Sequence, residues 1–481
     1  MSRLLLRSAR LRSGADPVDL RIDEGRIDRI APRLAAGGAE ELDLEGRVVV
    51  PGLWDHHVHV EQWAMVRRRV DVAGARSAAE VVETLRRSAD AAPPEPGSIL
   101  VGFGFRDGLW PDAPTREALD AVGAPASVIS GDVHAVWSNA DALRRLGLPA
   151  DDWYLREQPA FDLNVRLADA PDTTVDHWVA EAVRAAAERG IVGIVDLEMR
   201  DAGAAWSRRR NDPGFPRVRI RAGVYPHDLE AARAPRQRTG EVVRDTGGLV
   251  RGGPFKLFTD GALNTRTAFV DEPYDVVGGT GVAVHAPDEL DALIREGLAA
   301  GLVPTIHAIG DAAVTAALDA IERTASGGSI EHAQLVRDGD LHRFAALGVT
   351  ASIQPEHAVD DRDVTDRYWS GRGDRVIPAR ALLDAGASLA LGSDAPVAPL
   401  DPWIALAAAV FRARGREPWH PEQTISVDEA LAASTRTRVS VGEHADLAIL
   451  DDDPWAAHDD ALRRMPVSGT LLGGEWIHRA L

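Results

Sequence analysis

Residues 173–195 read Thr173-Thr174-Val175-Asp176-His177-Trp178-Val179-Ala180-Glu181-Ala182-Val183-Arg184-Ala185-Ala186-Ala187-Glu188-Arg189-Gly190-Ile191-Val192-Gly193-Ile194-Val195. Trp178, Val179, Ala182, Val183 and Ala186 fall at helical spacing over 175–188, and Gly190 stops the helix before an apolar strand at 191–195. Downstream the alternation repeats, with strands predicted at 219–224, 255–258, 302–306, 329–330, 349–353 and 389–391 and helical stretches between most of them. A further strand ending near His57 completes eight, which predicts an α/β fold, a (β/α)8 TIM barrel.

Working outward, residues 4–50 show short β-type alternation, as in Val18-Asp19-Leu20-Arg21-Ile22 before the turn Asp23-Glu24-Gly25. The C-terminal end has the same texture in Ala445-Asp446-Leu447-Ala448-Ile449-Leu450. Residues 1–52 and 437–481 are therefore predicted to form one small flanking β-sandwich split between the chain ends, and 53–436 the barrel. More than a hundred residues separate the first barrel strand from residue 173, too many for an ordinary βα connection, so an insertion is expected at about 61–172. It holds a helix near 77–91, strands at 99–105 and 126–130 and an irregular stretch at 151–169. Because it leaves the carboxyl end of a barrel strand, it should roof the pocket.

Acidic residues (74) exceed Lys plus Arg (54), giving a net charge of −20, which repels phosphate backbones and anionic lipid. No nucleic-acid or membrane partner is expected. Arg208-Arg209-Arg210 reads as a solvated helix end or loop. The chain has no cysteine, which excludes disulfides and thiolate metal sites and fits a reducing compartment. The apolar run Leu4-Leu5-Leu6 is too short for a signal peptide, and no stretch approaches a membrane span, so a cytoplasmic location is expected.

In Val48-Val49-Val50-Pro51-Gly52-Leu53-Trp54-Asp55-His56-His57-Val58-His59, His57 and His59 are two apart and share a strand face, so one metal can take both. With 15 histidines, an H-x-H spacing arises about 0.5 times by chance, so context must decide. The context is that His307, His332 and Asp394 also follow apolar strands, where a barrel gathers its catalytic groups. Lys256 lies inside Pro254-Phe255-Lys256-Leu257-Phe258, which is too apolar for an unpaired ammonium. Two solutions stand open: an ion pair with Asp260, or reaction of the neutral amine with carbon dioxide to give a carbamate able to bridge two metals.

The segments Pro51-Gly52 to His59, Gly104 to Trp110 with Pro114-Thr115-Arg116, and Asp132-Val133-His134 to Trp137 and Asn139 resemble the amidohydrolase superfamily. So do Phe255 to Gly261, His307-Ala308-Ile309-Gly310-Asp311, Ile330-Glu331-His332-Ala333, Gln354-Pro355-Glu356-His357, Gly392-Ser393-Asp394-Ala395-Pro396 and Ala445-Asp446-Leu447. The likeness is to the YtcJ-like branch, which includes N-substituted formamide deformylases. It implies His57 and His59 on one metal, His307 and His332 on a second, a carboxylated Lys256 between them, and Asp394 as both ligand and acceptor of the attacking water's proton. Zinc or another divalent metal, as one or two ions, suits imidazole and carboxylate ligands. Two departures from the branch are Val133, where Gly is usual, and a shortened approach to Ala445.

Trp54, Trp110 and Trp137 are candidates for an aromatic substrate pocket, and His134, Gln354 and His357 for binding a substrate carbonyl or polar group. The expected activity is hydrolysis of a small N-substituted amide or related C–N bond, other than a peptide bond, by metal-activated water. The alternatives are a metal-dependent esterase, lactonase or phosphoesterase, or a barrel that has lost catalysis and serves as a scaffold. A small-molecule substrate is expected, and self-association as a homodimer is left open.

Overall fold

The alternation resolves into eight parallel strands that pair in chain order: β1 (Leu53–Val58), β2 (Ile191–Asp196), β3 (Arg219–Val224), β4 (Val250–Phe258), β5 (Pro304–Ala308), β6 (Gly328–His332), β7 (Val349–Ile353) and β8 (Ser388–Leu391). They are seen in a computed structural model that describes residues 3–92, 94, 97–167, 170–233 and 237–481. The ring closes between β8 and β1 through the backbone beside the histidines: Asp394 N donates to His57 O at 2.8 Å and His59 N to Ala395 O at 2.8 Å. Gly392 permits that approach, because a Cβ there would lie 2.8 Å from the His57 nitrogen. Helices cover the outside, and Leu53, Phe255, Leu257, Ile306, Ile330, Ile353 and Leu391 join Trp403 and Phe344 in the largest core cluster.

The chain ends form two four-stranded sheets. One is wholly N-terminal, with Leu4–Ala9 between Val18–Asp23 and Glu40–Asp43, and Arg26–Ala31 outermost. The other pairs Val48–Pro51 with the C-terminal strand Leu447–Leu450, followed by Val467–Leu472 and Glu475–Arg479. Leu4, Leu6, Leu20 and Ile22 share one core with Val49, Leu447, Ile449 and Leu471, so the two sheets face each other as a small sandwich.

The insertion carries a five-stranded sheet in the order Tyr154–Arg156, Ala135–Ser138, Ala126–Ser130, Leu100–Phe105, Val70–Asp71, with the helix Ala78–Ala91 capped by Ser77. The stretch expected to be irregular at 151–169 instead contains the strand Tyr154–Arg156, paired antiparallel with 135–138, and the helix Gln158–Leu167. Its positions 168 and 169, like residues 1 and 2 of the N-terminal region, lie outside the described residues. The arginine run ends a helix as expected, but its middle member is not solvated. Arg209 is buried and pairs with Glu61 and Asp176, because the helix end at 210 packs inward under the insertion's first helix (Val60–Val66). No helix among the described residues is long and apolar enough to cross a membrane.

Candidate metal centre

His57 is the penultimate residue of β1, His59 precedes the following helix as its N-cap, and Lys256, His307 and His332 lie within β4, β5 and β6 rather than after them. Register sets their depth: Phe258 stands beside His307, and Ala308 beside His332. His332 and Asp394 have φ of 71° and 58°, left-handed values that non-glycine residues adopt at a cost of order 1–3 kcal/mol and that cluster at functional sites.

The side chains converge. Asp394 Oδ1 lies 3.3 Å from His57 Nε2 and 3.5 Å from His59 Nε2, while its Oδ2 lies 3.8 Å from His357 Nε2. Two groups of possible ligand atoms, each within 4.8 Å of one another, share this carboxylate: His57, His59 and Asp394, and His332, His357 and Asp394. His357 thus stands among the ligand candidates and not only beside a substrate. The His307 ring packs 4.5 Å from that of His332, and its Nε2 donates to the Gly261 carbonyl at 3.1 Å, which leaves Nδ1 as its available ligand atom.

Burial drives the electrostatics. It lowers the pKa of His57, aided by Lys256, and pushes His307 and His332 well below the ordinary value, so these imidazoles are neutral with free lone pairs. Burial also lowers Lys256. Burial opposes the Asp394 carboxylate, but His57, His59 and His332 outweigh it and hold the group well below the usual range. The ring of His57 is fixed from behind: its Nδ1–H donates to Glu331 Oε2 at 2.8 Å, which turns Nε2 toward Asp394 and Lys256 Nζ, the latter 3.5 Å away. Burial works against Glu331 as well, yet His57 and Lys256 hold its carboxyl at about 2, and Thr305 donates to its other oxygen at 2.5 Å.

Glu331→Gln is expected to weaken metal binding about 10- to 100-fold, the usual result of losing the carboxylate that orients a metal-binding histidine. Titration of the metal-free variant with zinc checks it, and an unchanged affinity would remove Glu331 from the site.

The ion pair proposed between Lys256 and Asp260 is not formed. The Asp260 carboxylate is committed to the backbone N–H groups of Phe269 (2.9 Å), Ile309 (3.0 Å) and Gly310 (2.8 Å). Lys256 Nζ instead sits 5.3 Å over the Phe258 ring.

His57, His59, His134, Lys256, His307, His332, His357 and Asp394 all line one cavity, with Phe161, Met199, Phe258 and Leu263 as apolar wall and Arg106, Asn264, Gln334 and Asp361 as further polar groups. Four expected pocket residues, Trp54, Trp110, Trp137 and Gln354, do not line it. Trp137 is fully buried in the insertion core and its indole donates to Thr115 O at 2.9 Å; Trp110 packs on Phe105 in that core. Trp54 lies against Gly193 in a separate cluster with Val192 and Leu472. Gln354 sits behind the histidines, its Nε2 3.4 Å from His57 Nδ1. Two carboxylates that sequence reading passed over, Glu331 and Glu157, each brace a cavity histidine. The signal for Glu331 was present: a carboxylate in a buried strand needs a partner, by the reasoning applied to Lys256.

The model of the amidohydrolase family matches residues 40–478. The chain belongs to the amidohydrolase family. It is 26% identical to YtcJ of Bacillus subtilis over 94% of this chain and 93% of that protein. It is 27% identical to an N-substituted formamide deformylase of Arthrobacter pascens over 92% and 90%. Its fold superposes on an uncharacterized metal-dependent hydrolase from Pyrococcus horikoshii with a TM-score of 0.79 and 26% identity, covering 95% of this chain and 99% of that one. The amidohydrolase is thus a metal-dependent hydrolase, and its buried His and Asp donors are the candidate metal site.

Proposed function

We propose that this amidohydrolase cleaves a small N-substituted amide or related C–N bond other than a peptide bond. The observation that carries the reading is one buried carboxylate, Asp394, shared between two groups of buried imidazoles at the barrel mouth. The residues fit a divalent ion. Ring nitrogens of His59, His332 and His357 are buried without a hydrogen-bond partner, and an all-nitrogen and oxygen donor set suits zinc. His57, His59, His307, His332, His357 and Asp394 would hold one or two ions. A bound ion supplies Lewis acidity, which makes water a nucleophile near neutral pH and polarises a carbonyl.

The chain's own groups do the rest. Asp394 takes the proton of the attacking water and returns it to the leaving nitrogen, without which an amine departs poorly. Glu331 holds the orientation of His57. Lys256, desolvated and without a carboxylate partner among the described residues, is the amine that adds to carbon dioxide: a bond forms from Nζ to carbon, a proton is released, and the resulting carbamate carries the negative charge the site requires. The cavity encloses about 70 Å³, which favours a compact substrate over a polypeptide. The likeness to the formamide deformylase supports attack on a C–N bond, and the absence of cysteine supports a reducing, cytoplasmic setting.

The test is elemental analysis of the purified protein followed by a panel of N-substituted amides, esters, lactones and phosphoesters. Bound zinc, amide turnover, and loss of that turnover on chelation are expected. Full activity in metal-free protein, or turnover confined to the oxygen esters, overturns the reading.

A further inference from the structure

The metal cavity encloses about 70 Å³, so the body of a substrate has to extend from it. Under the insertion lies a larger chamber of about 550 Å³ that shares two wall residues with it, Arg106 and Val397, and is lined further by Trp63, Phe103 and Pro396. Val397 belongs to the turn that follows Asp394, and its N–H donates to the Asp394 carbonyl at 2.7 Å. The chamber therefore begins beside the residue that serves the reaction.

Its wall is basic, and one of its arginines is unmatched. Arg106 Nη2 lies 3.0 Å from Asp360 Oδ2, and Arg414 Nη2 lies 2.6 Å from Asp360 Oδ1. Arg69, between the helix Val60–Val66 and the strand Val70–Asp71, has no such counter-ion among the described residues. Its Nη2 donates to the neutral Asn164 Oδ1 at 3.2 Å, and its Nη1 is buried with no hydrogen-bond partner. Burial lowers the Arg69 pKa only to about 10, so the guanidinium stays charged at neutral pH. A buried charge is normally paired. In a chain with 74 acidic residues, an arginine left without one on a cavity wall points to a ligand that brings the anion.

A second chamber, of about 240 Å³, adjoins the metal cavity at Gln62, Phe161 and Met199, but its charges are already met. Arg200 Nη1 pairs with Glu61 Oε2 at 2.8 Å, and Glu198 Oε2 accepts from the backbone N–H groups of Glu61 and Gln62 at 3.0 and 3.1 Å. Only the basic chamber asks for a charged occupant. The seven-residue helix Val60–Val66 sets the Arg69 backbone roughly 10 Å from that of His59, at about 1.5 Å per residue. A carboxylate a few bonds from the scissile amide spans that separation.

We propose that the substrate is an anionic amide, with its carboxylate held by Arg69 in this chamber while the scissile bond sits at the metal centre. This names a substrate class for the hydrolytic reading above and rests on it. The guanidinium fork matches a carboxylate with two parallel donors, and Nη1 is free to supply one of them.

The experiment uses zinc-replete protein and matched amides: N-formyl-β-alanine and N-formyl-γ-aminobutyrate, each against its primary carboxamide, and N-methylsuccinamate against N-methylsuccinamide. Steady-state kinetics are measured on wild type, Arg69→Met and Arg69→Lys, and equilibrium binding on Asp394→Asn with and without Arg69→Met. Losing a charge-assisted pair in a desolvated site costs on the order of 10- to 100-fold. Wild type is expected to favour at least one carboxylate over its carboxamide by about 10-fold or more in kcat/KM and in binding. Arg69→Met should raise KM and Kd for that carboxylate about 30-fold, with kcat, zinc content and the carboxamide values within about threefold of wild type, because the contact is made equally in the ground and transition states. Arg69→Lys should keep part of the preference. A preference confined to the formyl compounds or to the succinamate supports the assignment and tells which side of the scissile bond enters the chamber. Equal or better use of every carboxamide by wild type overturns it, and that result stands even if Arg69→Met does not fold. A preference that survives in Arg69→Met belongs to the metal, and an equal loss on both members of a pair belongs to packing; either overturns the assignment. If the Arg69-dependent binding preference holds but wild type turns over no amide, it is the hydrolytic reading that has failed.

Discussion

Asp394→Asn is expected to lower kcat by about 1,000-fold while leaving the fold and most of the bound metal in place. The factor corresponds to roughly 4 kcal/mol in the barrier, within the range ascribed to a positioned general base. The substitution is close to isosteric, and asparagine tolerates the left-handed backbone that Asp394 adopts at φ 58°. The backbone N–H that closes the barrel onto His57 is unchanged by it. What is lost is basicity: an amide cannot take the proton of a water, and it brings no negative charge to a site where His57, His59 and His357 all lie within 3.8 Å of the carboxylate. His57 and His59 still offer two nitrogens to an ion. Steady-state kinetics, circular dichroism and elemental analysis on one preparation check all three parts. A variant that keeps a tenth of the wild-type kcat with full metal ends the base role.

The barrel was legible because parallel strands buried on both faces read as short apolar runs between amphipathic helices. The polar residues at their ends stood out for the same reason, since His307, His332 and Asp394 interrupt otherwise apolar segments. Side-chain direction was less legible. Trp54, Trp110 and Trp137 were candidate pocket residues because their segments adjoin the site in sequence, but an aromatic count carries no information on which face a strand buries, and all three turn into cores. The stretch at 154–167 hid a three-residue strand and a ten-residue helix, both too short to show a firm period.

Pairings across distance were also hidden. Asp260 is four residues from Lys256 and looked like its counter-ion, yet a carboxylate at that turn is used by backbone N–H groups 9, 49 and 50 residues downstream. Glu331 pairs with His57 across 274 positions. Such contacts follow from the register of β4, β5 and β6 around the ring, which no local pattern specifies.

Lys256→Ala is expected to remove metal from the site and to lower kcat by about 1,000-fold or more, with part of both returning in the presence of formate, acetate or propionate. Lys256 is 1% exposed, and its amine is near His57 Nε2 and the face of Phe258. A bare ammonium is poorly placed there, because burial disfavours the charge by more than the Glu331 and Asp394 carboxylates support it. A carbamate inverts the sign of the charge at that position and adds two oxygens that can reach a metal, so truncation deletes an anionic ligand and leaves a space the size of the missing side chain. A short carboxylic acid can fill the space and restore the charge, whereas a neutral molecule of the same size, such as acetamide, should not. The direct readout is a carbamate carbon resonance in protein prepared with isotopically labelled bicarbonate, present in wild type and absent in Lys256→Ala. If Lys256→Ala binds zinc with wild-type stoichiometry and turns over at the wild-type rate, the amine is an uncharged packing group and the anionic ligands must all be found elsewhere.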